Sequence, residues 1–325
     1  MPRIRFIVLA VVASLLLPLS SFTGSVSADG PGPLARFVLQ TVIEDFHTDP
    51  TQRFLQRFRV HGPGAAQFDH EHSAPRFRGD RSGSLAVTYD SLEPTSRYYN
   101  RFPLTFTQAD DFVFGAILTI RPEGFEPDPS GFHPIAFSLF NATTTGDDRT
   151  GDLSDFRADT FDTVEFSWFP NVSPFFGGPF LSPDVFGTAV GADAFLSFAF
   201  TSVPLSLEPG KTYLVEMEHS AAARTLTARL YRLHPLGGAI PVDGSTVVVD
   251  LSSIGGFTVN SIGISAYHDG FNVFSESGRS LLATVDYDLL FSAPKIGGRL
   301  PLRLALLLAH LKKAPPLSLT HGHDE

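Results

Sequence analysis

Between Arg36 and Phe291 the chain is a succession of short apolar runs, many of them alternating, each ended by Gly, Pro, Asp or Asn. About a dozen can be marked off: 36–43, 54–60, 84–89, 111–121, 134–140, 161–169, 194–201, 212–218, 225–232, 246–251, 258–267 and 283–291. A period of two is the mark of a pleated strand with one buried face, and no stretch in this span has the 3.6-residue spacing of an amphipathic helix. Parallel βαβ architecture is therefore excluded. No motif returns at a fixed period, which argues against propellers and solenoids and leaves one large two-sheet sandwich. The 31 Phe, 28 Gly and 25 Pro suit that outcome, because aromatic rings fill pleated faces while Gly and Pro set turn dihedrals.

The alternation assigns faces. In 111–121, Phe112, Phe114, Ala116, Leu118 and Ile120 share one face, predicted to be core, with Val113, Gly115, Ile117, Thr119 and Arg121 on a mixed opposite face. Residues 213–230 read as a hairpin turning through Ala221-Ala222, in which Met217 faces Leu226, Val215 faces Ala228 and Tyr213 faces Leu230. Its other side carries Glu216 and Glu218 beside Thr225, Thr227 and Arg229.

The ends differ in character. Arg3 and Arg5 precede an apolar run from Phe6 to Leu19 and the small residues Val26 and Ala28, the three regions of a signal peptide cleaved after Ala28. A membrane anchor needs about 20 apolar residues, and this run is shorter and holds Pro18. Residues 29–35 read as an exposed leader, 36–293 as the sandwich, and 294–325 as a linker, a short apolar helix around Leu300–Leu311 and a polar tail. That helix is too short to span a bilayer, so docking on the sandwich or lying at an interface is expected, with a sorting signal as the alternative. The mature chain is expected to have no transmembrane span. The formal net charge of −10 becomes about −12 once Arg3 and Arg5 are removed, which disfavours nucleic acid as a partner. With no cysteine, an exported protein of this length depends on its core or on metal rather than on disulfides.

Glu44-Asp45-Phe46, Asp49-Pro50 and the following Phe54 and Phe58 resemble the opening strand of the concanavalin A-like lectin/glucanase superfamily, the jelly-roll sandwiches that include laminin-G-like domains. The run from Ala283 to Phe291 is similar to its closing strand, and Gly83–Val87, Asp110-Asp111-Phe112 and Gly263–Tyr267 stand in matching order. The stretch Asp162–Asn171 with Gly177-Gly178-Pro179-Phe180 resembles an uncharacterised exported bacterial family within that superfamily, from which no activity carries over. The resemblance implies an all-β, two-sheet antiparallel jelly-roll. It also implies a calcium ion between first and last strands, with Glu44, Asp45, Asp286 and Asp288 as the available acids.

Several residues are candidates for chemistry. Alternation puts Val164, Phe166 and Trp168 on one face and Thr163, Glu165 and Ser167 on the other, so the Glu165 carboxylate leaves the core side. Glucanases of the resembled superfamily project their acids from the concave face of such a strand, but their Glu-x-Asp-x-x-Glu spacing is absent here. Glycoside hydrolysis needs two carboxyls about 5 to 9.5 Å apart, so a second must come from elsewhere, with Glu216 or Glu218 as candidates. The plainer role of Glu165 is a solvated or hydrogen-bonded strand acid. Trp168, Phe169, Asn171, Phe175, Phe176, Phe180 and Phe186 lie in a proline-stiffened stretch that could stack sugar rings or cap the sandwich. Tyr267-His268-Asp269 offers further polar and aromatic groups at a strand end. His70 and His72 share a strand face at a spacing that can chelate zinc or copper, or they form an exposed polar edge.

The expectation from the residues is an exported, non-catalytic, lectin-like sandwich, secreted or held in the periplasm or at the cell surface, that binds a glycan or cell-surface ligand. A glycoside hydrolase acting through Glu165 and a purely structural envelope protein are the alternatives.

Overall fold

The computed structural model describes residues 39–44, 46, 58–61, 67–71, 76, 83–128, 131–142, 162–170, 178–191, 196–268 and 278–294. Its strands are numbered in chain order. They begin with β1 (Leu39–Glu44), β2 (Arg59–His61), β3 (Phe68–Glu71), β4 (Ser84–Asp90), β5 (Ser96–Thr107), β6 (Phe112–Ile120) and β7 (Glu126–Pro127). The middle of the chain gives β8 (Ile135–Phe140), β9 (Thr163–Phe169), β10 (Phe180–Leu181), β11 (Asp184–Ala189), β12 (Leu196–Phe200) and β13 (Val203–Pro204). The last are β14 (Thr212–Ser220), β15 (Thr225–Leu233), β16 (Ala239–Pro241), β17 (Val247–Asp250), β18 (Ile254–Gly256), β19 (Thr258–Ala266) and β20 (Leu281–Pro294). No described residue is in an α-helix.

Two ten-stranded antiparallel sheets result. The first follows β16-β15-β14-β6-β20-β4-β3, and the second β12-β11-β9-β8-β19-β5-β2. Some consecutive strands pair as hairpins and others cross between the sheets, as when β4 of the first precedes β5 of the second, so the expected two-layer antiparallel sandwich is what the chain forms. β1 runs against the end of β20, pairing Leu39 with Pro294 and Glu44 with Leu289, which brings the first and last strands together.

One large core lies between the sheets. From the first sheet come Phe112, Phe114, Ala116, Leu118 and Ile120, the face assigned by alternation; from the second come Ile135, Phe137, Leu139, Val164, Phe166 and Trp168. Phe114 meets Phe137 edge-on across the layers at 5.9 Å, and Phe137 stacks on its cross-strand neighbour Phe166 at 5.0 Å. Buried polar groups of this core include several that are hydrogen-bonded. The Trp168 indole N–H donates to the Leu205 carbonyl at 2.9 Å. The Tyr89 hydroxyl, 2.7 Å from that of Tyr287, also donates across the layers to the Ala136 carbonyl at 3.2 Å.

Two strand expectations are corrected. The β14–β15 hairpin pairs Met217 with Ala228, Val215 with Leu230 and His219 with Leu226, two residues out of the expected register. Its connection is Ala221–Arg224, with Arg224 in the left-handed region (φ 52°), rather than a two-residue turn. A slip of two keeps every side chain on its assigned face, so Tyr213, Val215, Met217, Leu226, Ala228 and Leu230 still join the core. The twelve-residue β5 was not among the expected runs. Its inward residues Tyr98, Phe102 and Phe106 do alternate, but Asn100 interrupts the series and the register with β19 breaks around Pro103.

Close approach within the first sheet sets a test. A Cβ on Gly115 would lie 2.0 Å from the Val215 carbonyl oxygen of β14. Gly115→Ala should therefore force β6 and β14 apart and destabilise the fold by about 1–3 kcal/mol in urea unfolding, the usual cost of overpacking; an unchanged midpoint would contradict this packing.

Candidate functional site

The outward face of the second sheet is where the polar chemistry collects. Because side chains alternate, burying Val164, Phe166 and Trp168 sends Thr163, Glu165 and Ser167 to the other side of β9, a strand paired on both edges. The register then lines up Asp184, Glu165, Ser138, Gly263 and Tyr99 across β11, β9, β8, β19 and β5. The adjacent row is Ser167, Ala136, Ser265 and Arg97. Small side chains on β8 and β19 form a floor between larger ones on both flanks.

Glu165 is 3% exposed although it points away from the core. Its Oε2 accepts from the Tyr267 hydroxyl at 2.6 Å and its Oε1 from the Ser167 hydroxyl at 3.2 Å. Arg97, also buried, donates from Nε to the Ser265 hydroxyl at 2.9 Å and lies over the Phe140 ring at 4.4 Å. Three buried atoms of these two rows, the Asp184 Oδ1 acceptor, the Arg97 Nη1 donor and the Ser138 hydroxyl, have no hydrogen-bond partner among the described residues. Such atoms are rare in folded proteins and mark places where a water or ligand belongs.

Burial raises the pKa of Glu165, against the Tyr267 hydrogen bond and the positive charge of Arg97, which favour its ionised form. Asp184 is pushed well above the usual carboxylate range, by burial and then by the negative charge of Glu165 beside it. The pair thus retains a proton at a pH where free carboxyls have lost theirs. Burial also raises the Tyr267 hydroxyl, which therefore remains a donor. At the strand end His268 is half-buried and its backbone N–H donates to the Thr95 hydroxyl at 2.7 Å. His133, fully buried, is lowered to about 3 by desolvation and then by His268, and so is neutral.

Beside the acids lies a ladder of rings. Phe200 on β12 is directly opposite Asp184, and Phe198 opposite Phe186. Phe186 stacks on Phe198 at 6.1 Å and 26°, and Phe198 on Phe200 at 5.6 Å and 12°. Phe198 and Phe200 are 51% and 53% exposed, so two nearly parallel rings face solvent on a sheet edge.

Several sequence expectations meet a different geometry. Glu216 and Glu218 cannot partner Glu165: they lie on the outward face of the first sheet, across the whole core, and share the Arg229 guanidinium at 2.7 Å each. Trp168 is 1% exposed in the core, and Phe169 is buried against Phe132 and Phe180 at 4.4 and 4.6 Å, so neither presents a ring to solvent. Tyr267 does join Glu165. Asn171, Phe175, Phe176, Asp269, His72 and Asp45, and the side chain of Glu44, lie outside the described residues, as do the signal peptide, leader and C-terminal helix. His70 Nε2 lies against the Phe46 carbonyl oxygen.

Of the four acids proposed for calcium, the two described ones, Asp286 and Asp288, are engaged by cations already. Asp286 pairs with Arg121 at 2.7 Å and accepts from Ser84, and Asp288 pairs with Arg76 at 2.5 Å. Two arginines repel a divalent ion, so this described pair does not fit calcium. Among the described residues no three His, Asp or Glu side chains gather as metal ligands.

Sequence reasoning missed Asp184, Phe198 and Phe200. The alternation of Asp184, Phe186 and Thr188 was available in a stretch that reads as loop, and 194–201 reads as an apolar run whose faces the sequence does not assign.

No family model and no curated protein matches the chain. Among solved structures it is similar to lectin II from Ulex europaeus (15% identity over 78% of this chain and 98% of that one, TM-score 0.40). It is similar also to peanut lectin with a nine-residue peptide (10%, 80% and 99%, TM-score 0.44) and to winged bean acidic lectin complexed with methyl-α-D-galactose (12%, 80% and 100%, TM-score 0.44).

The coupled acids make a stability prediction. A carboxyl whose folded pKa is raised contributes stability that is complete below its unfolded value, about 4, and is lost as pH rises through the folded value. The melting temperature should therefore climb as pH falls from 7 toward 5. Asp184→Asn should flatten that slope and stabilise the protein at pH 7 by about 1–3 kcal/mol, by relieving a buried charge. A variant less stable than wild type at pH 7 would refute the assignment.

Proposed function

We propose that this is an exported carbohydrate-binding β-sandwich that takes a pyranoside on the outward face of its second sheet. The observation that carries the reading is the single row in which the exposed Phe200 ring adjoins Asp184 and Glu165. Stacked rings match the apolar face of a sugar, and a carboxyl directly opposite one of them matches its hydroxyls. The Asp184 Oδ1, which has no hydrogen-bond partner among the described residues, supplies an acceptor beside the rings for such a ligand. The basic, apolar and small-residue regions before Asp29 support export and a place outside the cytoplasm.

A second reading, glycoside hydrolysis, is favoured by one specific observation: Asp184 is the cross-strand neighbour of Glu165, and both carboxyls have raised pKa values. A retained proton is what a general acid needs, and a second carboxyl is what a nucleophile or base needs. The geometry favours binding over hydrolysis, because Glu165 is roofed by the Tyr267 hydroxyl and nearly without exposure.

The test is affinity electrophoresis of the mature protein in β-glucan, galactan and xylan gels, with reducing-sugar release measured in parallel. Retardation by at least one polymer is expected, and the double variant Phe198→Ala/Phe200→Ala should weaken it by about tenfold, ~1.4 kcal/mol. Retardation unaltered by that variant would remove the rings from the site, and no retardation on any polymer would remove the function. Sugar release abolished by Glu165→Gln would establish the hydrolase reading instead.

A further inference from the structure

The outward face of the first sheet holds a second apolar cluster that no described element covers. Ile117 of β6, Leu214 of β14, Leu233 of β15 and Leu290 of β20 are 5%, 0%, 5% and 6% exposed, with Tyr231 and Ala239 packed against them. Each has the opposite parity from its strand's core residues, so none of them reaches the interior between the sheets. Every described strand belongs to one of the two sheets, so none forms a third layer over this patch. A leucine on an exposed sheet face is not fully buried by its flat neighbours alone; something lies on it.

We propose that the apolar C-terminal stretch from Leu300 to Leu311 packs as a helix across this face. Length is the first reason. The four residues sit on four successive strands, about 14 Å from first to last at the usual spacing, and a helix of this stretch runs about 18 Å. Position is the second: Leu290 belongs to β20, whose end at Pro294 is the point from which residues 295–299 lead to the stretch, a linker carrying Gly297-Gly298. Pattern is the third, because Leu300, Leu304, Leu307, Leu308 and Leu311 fall on one helical face. Charge is the last. Residues 295–313 carry Lys295, Arg299, Arg303, Lys312 and Lys313 and no acid, while Glu216 and Glu218 beside the patch share only Arg229 and keep one negative charge in excess.

The absence of cysteine makes the test direct. Single cysteines at Leu304 and Leu308 are combined in the full chain with one at Thr119 or Tyr231, and the four pairs are oxidised at low protein concentration. At least one pair should form a disulfide within the chain, while the same tail cysteines with Val60→Cys, on the other sheet, should not. Only intermolecular disulfides would assign the face to a second copy and overturn the proposal, as would no disulfide from any pair. Independently, Leu304→Asp/Leu308→Asp should increase binding of a hydrophobic dye severalfold and lower the melting temperature by several degrees, with sugar binding unchanged. No change in dye binding or melting would overturn the proposal, and so would sedimentation of the full chain with anionic lipid vesicles through those two leucines.

Discussion

The pleat of β9 is the constraint from which the rest of the site follows. Val164, Phe166 and Trp168 are each buried completely or nearly so between the sheets, and together they fix which way the strand faces. A slip of one residue would put Glu165 among aromatic rings, at a cost of several kcal/mol for an unpaired buried charge. The acid is thus held on the outward face by the packing of its neighbours, and the Trp168 bond to the Leu205 carbonyl pins the inward side of the same strand. Beneath the polar rows, the Tyr89 hydroxyl reaches Ala136 from the opposite sheet, so the floor is tied to the first layer by a hydrogen bond as well as by apolar contact.

The two outward faces have been put to different uses. On the first sheet the acids are paired with arginines: Asp286 with Arg121, Asp288 with Arg76, and Glu216 and Glu218 together with Arg229. Around them lies an apolar patch. The second sheet has the reverse arrangement, since Glu165 and Asp184 face each other and the nearest cation, Arg97, is engaged with Ser265 and the Phe140 ring. Like charges placed opposite each other on a sheet are unfavourable, and a protein with only structural needs would place a hydroxyl or an apolar residue at one of the two positions.

The sequence showed faces more clearly than neighbours. Alternation at Phe112–Ile120 and at Val164–Trp168 is legible because the pleat has a period of two whatever lies beside it, and the predicted inward sets are those found. Register is another matter. The hairpin was misplaced by two residues because Ala221-Ala222 resembles a tight turn, whereas Arg224 takes the left-handed conformation and lengthens the connection. Glu216 and Glu218 stand as candidate partners for Glu165 in the sequence because nothing in a linear chain tells which sheet a strand joins. The true neighbour, Asp184, stands nineteen residues from Glu165, at the start of a strand that proline and glycine disguise as loop.

The aromatic residues carry the same lesson in its sharpest form. Phenylalanine at 198 and 200 looks like core material, and burying each ring would contribute roughly 1.5–3 kcal/mol. The inward side of β12 is instead given to Ala199, and both rings remain half in water. Exposed rings in a protein with so large a core are not a failure of packing. Their nearly parallel stacking, on a strand whose register sets Phe200 against Asp184, couples an apolar surface to a charged one over the width of a single strand spacing. A pyranoside has the same division, with C–H groups on its faces and hydroxyls around its rim, and a wholly apolar partner would leave the carboxyl pair unsatisfied.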